Sequence, residues 1–463
     1  MYNSALSFSA AGSGRKPFQQ KDLAHMKILP LAAELNSILA KEAPPVLEML
    51  SDLGRRFYFP KGIISQSAEA KAKAHKFNAT MGIATEGGAP MHLASLQKYF
   101  HLDPADVFLY APTGGKPALR DAWRRKQLGE NPRMKGNPSS LPVVTAALTH
   151  GLSVVSELFV NPGDKILVAD KLWGNYRLTY EVRQGGQIET FEFFSGGLFN
   201  RAGFRSKLLE IASRERKLIL ILNFPNNPTG FTPSPEDAEA IRLAVKEAAE
   251  KGLRQVVVCD DAYFGLFYDE SCLTESIFGY LSGVHPNVLA IKLDGATKEE
   301  FAWGFRVGFL TYGAAGNGNL EAVYAALEKK TLGVIRAGVS SCPQPSQSVV
   351  LKALESPTFQ AERAEKKEIL RARAARVHEV LKQKEFAEAW TPYPFNSGYF
   401  MCVKLHGVDA EKLRLHLLDR HQTGVIATDG TDVRVAFSCL ELDQIEPVFA
   451  TIYQGWKDLR GSI

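Results

Sequence analysis

The sequence is poor in the features that mark membrane, secreted or nucleic-acid-binding chains. Its 463 residues contain no run approaching the roughly 18 apolar residues of a membrane span, so no membrane partner is expected. The opening MYNSALSFSAAGSGRKPF lacks a basic stretch followed by an apolar one, and no secretory signal is expected. Basic residues such as Arg120, Arg124, Arg125 and Lys126 are scattered, and the net charge is only +5. That excludes a long basic arm and, with it, a nucleic-acid partner. Five cysteines, Cys259, Cys272, Cys342, Cys402 and Cys439, show no C-x-x-C spacing. Their odd number and apolar neighbours fit reduced thiols in a cytoplasmic protein, and no metal site is expected. Internal repeats and low-complexity tracts are absent.

What is present is an ordinary globular composition, 45% hydrophobic and 23% charged, long enough for more than one domain. Residues 1–75 read as an N-terminal helical extension, with LPLAAELNSILAKEAPPVLEML broken at Pro44-Pro45. Further on, short apolar runs alternate with helical stretches: KILVAD (165–170), QIETFEFF (187–194), KLILILNF (217–224), QVVVCD (255–260), NVLAIKL (287–293) and VGFLTYG (307–313). Between them SPEDAEAIRLAVKEAAEKG is a helix with Ser234 as N-cap and Gly252 as stop. Runs of this length separated by helices predict an α/β domain around a mostly parallel sheet covered on both faces. Its expected span is 76–340, the first part contributing to a smaller domain. Residues 341–463 (AERAEKKEILRARAARVHEVLKQ, a hairpin-like NSGYFMCVKL with VRVAF, and a last helix near EPVFATIYQGW) predict that smaller α+β domain.

In a parallel sheet, ligands bind beyond the carboxyl ends of the strands, and the residues there are distinctive. After KLILILNF comes Pro225-Asn226-Asn227-Pro228-Thr229-Gly230, and after QVVVC comes Asp260-Asp261-Ala262-Tyr263. After NVLAIKL comes Asp294-Gly295-Ala296-Thr297-Lys298, with Arg306-Val307-Gly308 beyond. Singly, each has a plain alternative: a turn, a helix cap, a solvated lysine. Together and in this order, N-N-P-T-G, D-x-A-Y and K-x7-R-x-G resemble the class I aminotransferases of pyridoxal-phosphate (PLP) fold type I.

That resemblance implies PLP as cofactor, bound covalently as an imine to Lys298 and acting as an electron sink. It implies that Asp260 faces the pyridine nitrogen, that Asn227 and Tyr263 hydrogen-bond the phenolic oxygen, and that Arg306 pairs with the phosphate. Lys298, Asp260 and Tyr263 are the expected catalytic residues. VVTAALTHGLSVVSELF (143–159) is similar to the segment whose helix N-terminus receives the phosphate, through Leu148 and Thr149. Leu172-Trp173-Gly174-Asn175-Tyr176 resembles a W-G-N-H segment whose indole stacks on the cofactor ring, here that of Trp173. Tyr110, in Tyr110-Ala111-Pro112-Thr113-Gly114-Gly115, resembles a tyrosine reaching the phosphate of the partner subunit.

On the substrate side, Arg434 in Val433-Arg434-Val435-Ala436-Phe437 is the expected binder of the α-carboxylate, since an arginine inside an apolar run wants an anion. Gly82 lies in a loop similar to one that closes over substrate, and Phe400 belongs to a segment near the substrate side chain. Arg336 is either the arginine that reads a distal carboxylate across a dimer or a surface residue. The sequence departs from the family pattern in three places. Tyr176 stands where a histidine is usual, Gly295 where a serine is common, and Ala147 and Leu148 replace glycines before the phosphate helix.

The implied protein is a cytoplasmic homodimer with shared active sites. It would move an amino group from aspartate, glutamate or an aromatic amino acid to a 2-oxo acid, in two half-reactions of ping-pong order. A β-lyase or decarboxylase on the same cofactor is the alternative. A PLP-sensing transcription regulator is disfavoured, because residues 1–75 show no helix-turn-helix spacing and no basic cluster.

Overall fold

The computed structural model describes residues 28–60, 62–316 and 318–460. Residues 1–27 of the expected N-terminal extension therefore lie outside the described residues. Two compact units are present, 1–58 and 59–463. In the first, α1 (Pro30–Glu42) ends at Ala43, and both prolines then open α2 (Pro44–Met49). The expected break is there, one residue early, because proline's missing N–H costs nothing in a first helical turn.

The second unit is built on a seven-stranded sheet. Its strands and main flanking helices follow in order: β1 (Val143–Thr145), α3 (Ala147–Phe159), β2 (Lys165–Ala169), β3 (Gln187–Phe191), α4 (Arg201–Arg214), β4 (Lys217–Asn223), α5 (Pro235–Glu250), β5 (Arg254–Asp260), β6 (Val288–Gly295) and β7 (Gly308–Ala314). The spatial order is β1-β7-β6-β5-β4-β2-β3, and only β7 runs antiparallel to its neighbours. The mostly parallel mixed sheet inferred from the apolar runs is what forms. In β4, Ile219 and Ile221 enter one core cluster while Leu218, Leu220 and Leu222 enter another. Alternating side chains buried on both faces are why the strand is apolar without a break. α5 starts as expected, Ser234 and Asp237 forming a reciprocal cap, and Gly252 follows it at φ +92°.

After β7 come α6 (Leu320–Gly338) and α7 (Phe359–Leu381), then a four-stranded antiparallel sheet. Its elements are β8 (Trp390–Pro392), β9 (Met401–Leu405), α8 (Ala410–His421), β10 (Ile426–Ala427) and β11 (Asp432–Val435), and α9 (Ile445–Arg460) closes the chain. The spatial order is β8-β9-β11-β10. β9 and β11 pair antiparallel, Cys402 opposite Arg434, but α8 and β10 lie between them in sequence. The consecutive strands β8 and β9 also pair antiparallel, so the hairpin-like region pairs its later VRVAF strand across α8 and β10. An alternating strand pattern identifies partners but not the connection between them. No helix of the described residues is long and apolar enough to cross a membrane.

Candidate active site

Three adjacent parallel strands end side by side, and this is what assembles the site. In the ladder Asn223 at the end of β4 lies opposite Asp260 at the end of β5, and Asp260 opposite Leu293 of β6. The chain leaving β6 turns at once into the short helix Ala296–Glu299, which carries Lys298. Motifs 30 to 40 residues apart in sequence thus meet by register alone.

They line one cavity of about 180 Å³. Of the thirteen residues expected at the site, ten line it: Gly82, Leu148, Thr149, Trp173, Asn227, Asp260, Tyr263, Lys298, Phe400 and Arg434. The other three do not. Arg306 is exposed, in left-handed backbone at φ +54°, with its Nη1 donating to the Trp303 carbonyl at 3.1 Å. It is still close enough to Lys298 to depress that amine's pKa. Arg336 sits exposed on α6 and donates to the Ser340 hydroxyl. Tyr110 is 94% exposed.

The electrostatics of the cavity are unbalanced. Burial lowers the Lys298 amine to about 8, although the Asp260 carboxylate pulls the other way. Asp260 is buried and its carboxyl pKa is raised by burial, against the hydrogen bond from Tyr176 and the charge of Lys298. The Tyr176 hydroxyl donates to its Oδ2 at 2.5 Å, while Oδ1 is buried without a hydrogen-bond partner. Burial also raises Tyr263, keeping its hydroxyl protonated.

Arg434 reaches the cavity from β11. Its Nη1 donates to Asn227 Oδ1 at 3.0 Å and its Nη2 to the Thr80 carbonyl at 2.9 Å, while Nε is buried without a partner. The guanidinium lies 4.1 Å from the centre of the Phe400 ring. Among the described residues it pairs with no carboxylate, and burial pushes its pKa down to about 10. A buried cation in this state calls for an anion.

Two glycines make the geometry possible. Gly230, at φ +76°, would place a Cβ only 2.0 Å from the Phe400 carbonyl oxygen, and its own carbonyl accepts from the amides of Asn396 and Ser397. It thereby lets the N-N-P-T-G loop touch the segment that holds Phe400. At Gly295 a Cβ would come within 2.6 Å of the Val307 carbonyl oxygen. The serine common at that position would not fit this backbone, which accounts for the departure. Ala147 holds φ +65°, a conformation that suits glycine better, at the start of α3.

Five lining residues were not among those expected: Ile63, Leu152, Tyr176, Asn223 and Ala262. Signals for four existed. Leu152 lies one helical turn after Leu148, Asn223 ends an apolar strand, Ala262 is the alanine of D-x-A-Y, and Tyr176 had been noted only as a departure. Nothing around Ile63 marked it. A larger cleft of about 410 Å³ opens beside Glu299, where most of the charges are paired. Lys126 and Arg363 pair there with Glu130, Glu299 and Glu300.

The chain is similar to the aspartate aminotransferase of a Bacillus species, 25% identical over 211 residues, which cover 46% of this chain and 49% of that protein. It is also similar to the aspartate/prephenate aminotransferase of Thermus thermophilus, 28% identical over 204 residues, covering 43% and 47%. The chain thus spans about half the length of these curated relatives. Among solved structures, an aminotransferase of Anaerococcus prevotii shares the fold, with a TM-score of 0.78 at 20% identity over 88% of this chain and 99% of that one. The family profile of aminotransferase class I and II matches residues 85–452, and the protein belongs to that family of PLP-dependent enzymes.

Proposed function

We propose that the protein is an aminotransferase that moves an amino group between an L-amino acid and a 2-oxo acid in two half-reactions of ping-pong order. Aspartate and glutamate are the favoured donors, aromatic amino acids the second choice. One observation carries the reading: a half-buried lysine, a buried carboxyl with an orphaned oxygen and a buried guanidinium without a carboxylate share one cavity. Aspartate, named for both relatives above, supports the first choice of donor.

The residues present fit PLP. Asp260 Oδ1, buried and without a donor, would accept the ring N–H, and Trp173 would flank the ring. The amides at the start of α3, with Leu148 and Thr149, and the Arg306 guanidinium would hold the phosphate. When bound, the cofactor supplies an electron sink for the bonds at the substrate Cα.

The chain's own groups do the rest. Lys298 would hold the cofactor covalently and, when freed, would take the proton from the Cα of the donor amino acid and pass it to the cofactor. In the other half-reaction it would give a proton to the Cα of the new amino acid, and an amine near 8 is well matched to both transfers. Arg434 binds the α-carboxylate, its plane fixed by Phe400 on one side and by Asn227 at Nη1. Tyr263, kept protonated, would offer its hydroxyl as a hydrogen-bond donor to the cofactor.

Tyr110 and Arg336 belong to the same proposal through a homodimer, in which the partner subunit would supply them. The contiguous exposure of Phe108, Leu109 and Tyr110, at 82%, 63% and 94%, supports an interface there. The five cysteines are all free, which suits the reducing cytoplasm.

The experiment is a screen of amino donors against 2-oxoglutarate, with borohydride trapping of the cofactor. Equal amounts of oxo-acid and new amino acid, and a reduced adduct on Lys298, are the expected results. Ammonia or carbon dioxide release would replace transfer by elimination or decarboxylation, and an adduct on another lysine would sink the assignment. Arg336→Ala should lower kcat/KM for aspartate by orders of magnitude while sparing phenylalanine, since an unpaired buried charge costs about 2–5 kcal/mol. An unchanged ratio would return Arg336 to the surface.

A further inference from the structure

In the small-sheet region, α8 and α9, neither of which lines the cavity, bring two imidazoles to one carboxylate. His416 Nε2 and His421 Nε2 lie 3.0 and 2.9 Å from the same oxygen, Asp458 Oδ2. The other oxygen, Oδ1, accepts from Gln454 Nε2 at 2.7 Å, one turn back on α9. One ligand atom from each of the three residues lies within 4.8 Å of the others, and all three side chains are half-buried.

The helices that carry them are in close contact. A Cβ at Gly455 would come within 2.7 Å of Leu417, so a glycine on α9 admits α8. Leu413, Leu417 and Trp456 then pack in a common core. The three polar groups therefore stand on fixed supports, and none of them is engaged by the cavity around Lys298.

We propose that His416, His421 and Asp458 form a binding site for a divalent transition ion of the zinc or nickel class, clipping α8 to α9. Imidazole and carboxylate together select such ions over magnesium or calcium, which prefer all-oxygen shells. The spacing suits the size of the ion. Zinc sits about 2.0–2.2 Å from such nitrogen and oxygen atoms, so tetrahedral ligands are about 3.3–3.4 Å apart. Both N–O separations observed are within about 0.5 Å of that. The two nitrogens lie within 4.8 Å of each other, so they need to close by at most about 1.5 Å. Gln454 supplies the outer hydrogen bond that orients a ligating carboxylate. Three protein ligands leave a fourth position for water or a further donor.

The plain alternative is a hydrogen-bonded cluster with protons where the ion would be, and the two readings separate in a titration. Cofactor-loaded full chain, stripped with chelator, is titrated with zinc chloride by calorimetry. One ion per chain should bind, and the wild type should melt at a higher temperature with zinc than without. His421→Ala and Asp458→Asn should each weaken binding by at least the ~10–100-fold that loss of an outer-shell partner costs, and Gln454→Ala by about that amount. Transamination should be unchanged in all of them. No ion bound to the wild type, or the same ion bound equally to His416→Ala/His421→Ala, would overturn the site. Should the histidine variants fold poorly, the wild type alone still decides. Zinc must protect His416 and His421 from diethyl pyrocarbonate while leaving His92 reactive, and equal labelling with and without zinc is fatal.

Discussion

Asp260 and Asp261 are neighbours at the end of one strand, and the sheet gives them opposite lives. Asp261 does not line the cavity, and its Oδ2 is held by two donors. The Lys292 ammonium bonds its Oδ2, the Ser276 hydroxyl donates to the same oxygen at 2.6 Å, and Lys292 also reaches Asp294 at 3.2 Å. Asp294 in turn accepts from Trp123 Nε1 at 3.1 Å and from Gln127. Burial alone would lower the Lys292 amine, but the two carboxylates more than reverse that and raise it. Burial lifts the Asp261 carboxyl only to about 6, so it is ionised at neutral pH. Asp260 has one hydroxyl donor and one bare oxygen. The same residue type, equally buried, is a structural ion partner on one face and an open acceptor on the other. What separates them is satisfaction: the balanced group holds the fold, and the unbalanced one is reserved for a ligand.

The hardest way to break this comparison is to remove the amine on the open face. Lys298→Ala should lose covalent cofactor attachment and lower kcat by more than the ~10²–10⁴-fold that a general acid–base residue supplies. A variant retaining a tenth of the activity would show that another group moves the proton. A pH experiment sharpens the same point. Burial depresses the amine, so its neutral, nucleophilic form is gained as pH rises through about 8, below the ordinary lysine value of about 10.4. Recombination of apoenzyme with cofactor should therefore speed up with pH and level off above about 8. An inflection near that ordinary value would mean that the amine is solvated.

Exchanging each aspartate for asparagine tests the comparison directly. Asp260→Asn should lower activity about 10²–10³-fold, the size of one lost preorganised electrostatic contact, with stability unchanged or raised. Asp261→Asn should reverse the pattern. It breaks a buried ion pair and so costs about 3 kcal/mol, at the low end of the range because Asp294 still partners Lys292. Its activity per folded molecule should fall less than tenfold. Denaturant melts and kcat on the same preparations decide it, and equal activity losses would place the two side chains on one face.

The division was legible in the sequence because it follows from period two. A strand buried on both faces reads as one apolar run, and the residues that end it must alternate sides. The three strand-end motifs carried the chemistry for the same reason: register alone brings Asn223, Asp260 and the Lys298 helix together. Other features depend on contacts that periodicity does not encode. The pairing of β9 with β11 passes over α8. Ile63 reaches the cavity from a helix with no motif of its own. Gly295 is explained only by a carbonyl arriving from the turn before β7. Tyr176 was visible as an oddity, but its role required knowing which oxygen of Asp260 it takes.

That role supplies the smallest and most discriminating test. Tyr176 is a positioning residue: it is buried, its ring lies 5.6 Å from Trp173 in an edge-on arrangement, and its hydroxyl fixes Asp260 Oδ2, leaving Oδ1 for the ligand. Tyr176→Phe removes one hydrogen bond to a charged group, worth about 1.5–3 kcal/mol, so kcat should fall about tenfold to a hundredfold. The direction of the pH effect separates tuning from mere packing. The Tyr176 hydrogen bond holds the Asp260 carboxyl down against burial, so its loss raises that pKa further. Asp260 must be ionised to act, and the ionised form is then lost at a higher pH as the solution is acidified. The acid limb of the kcat profile should move upward in Tyr176→Phe and move back in Tyr176→His, which restores a donor. A lower kcat with the limb unmoved would reduce Tyr176 to a packing residue and leave Asp260 tuned by burial, Lys298 and the Ala262 amide.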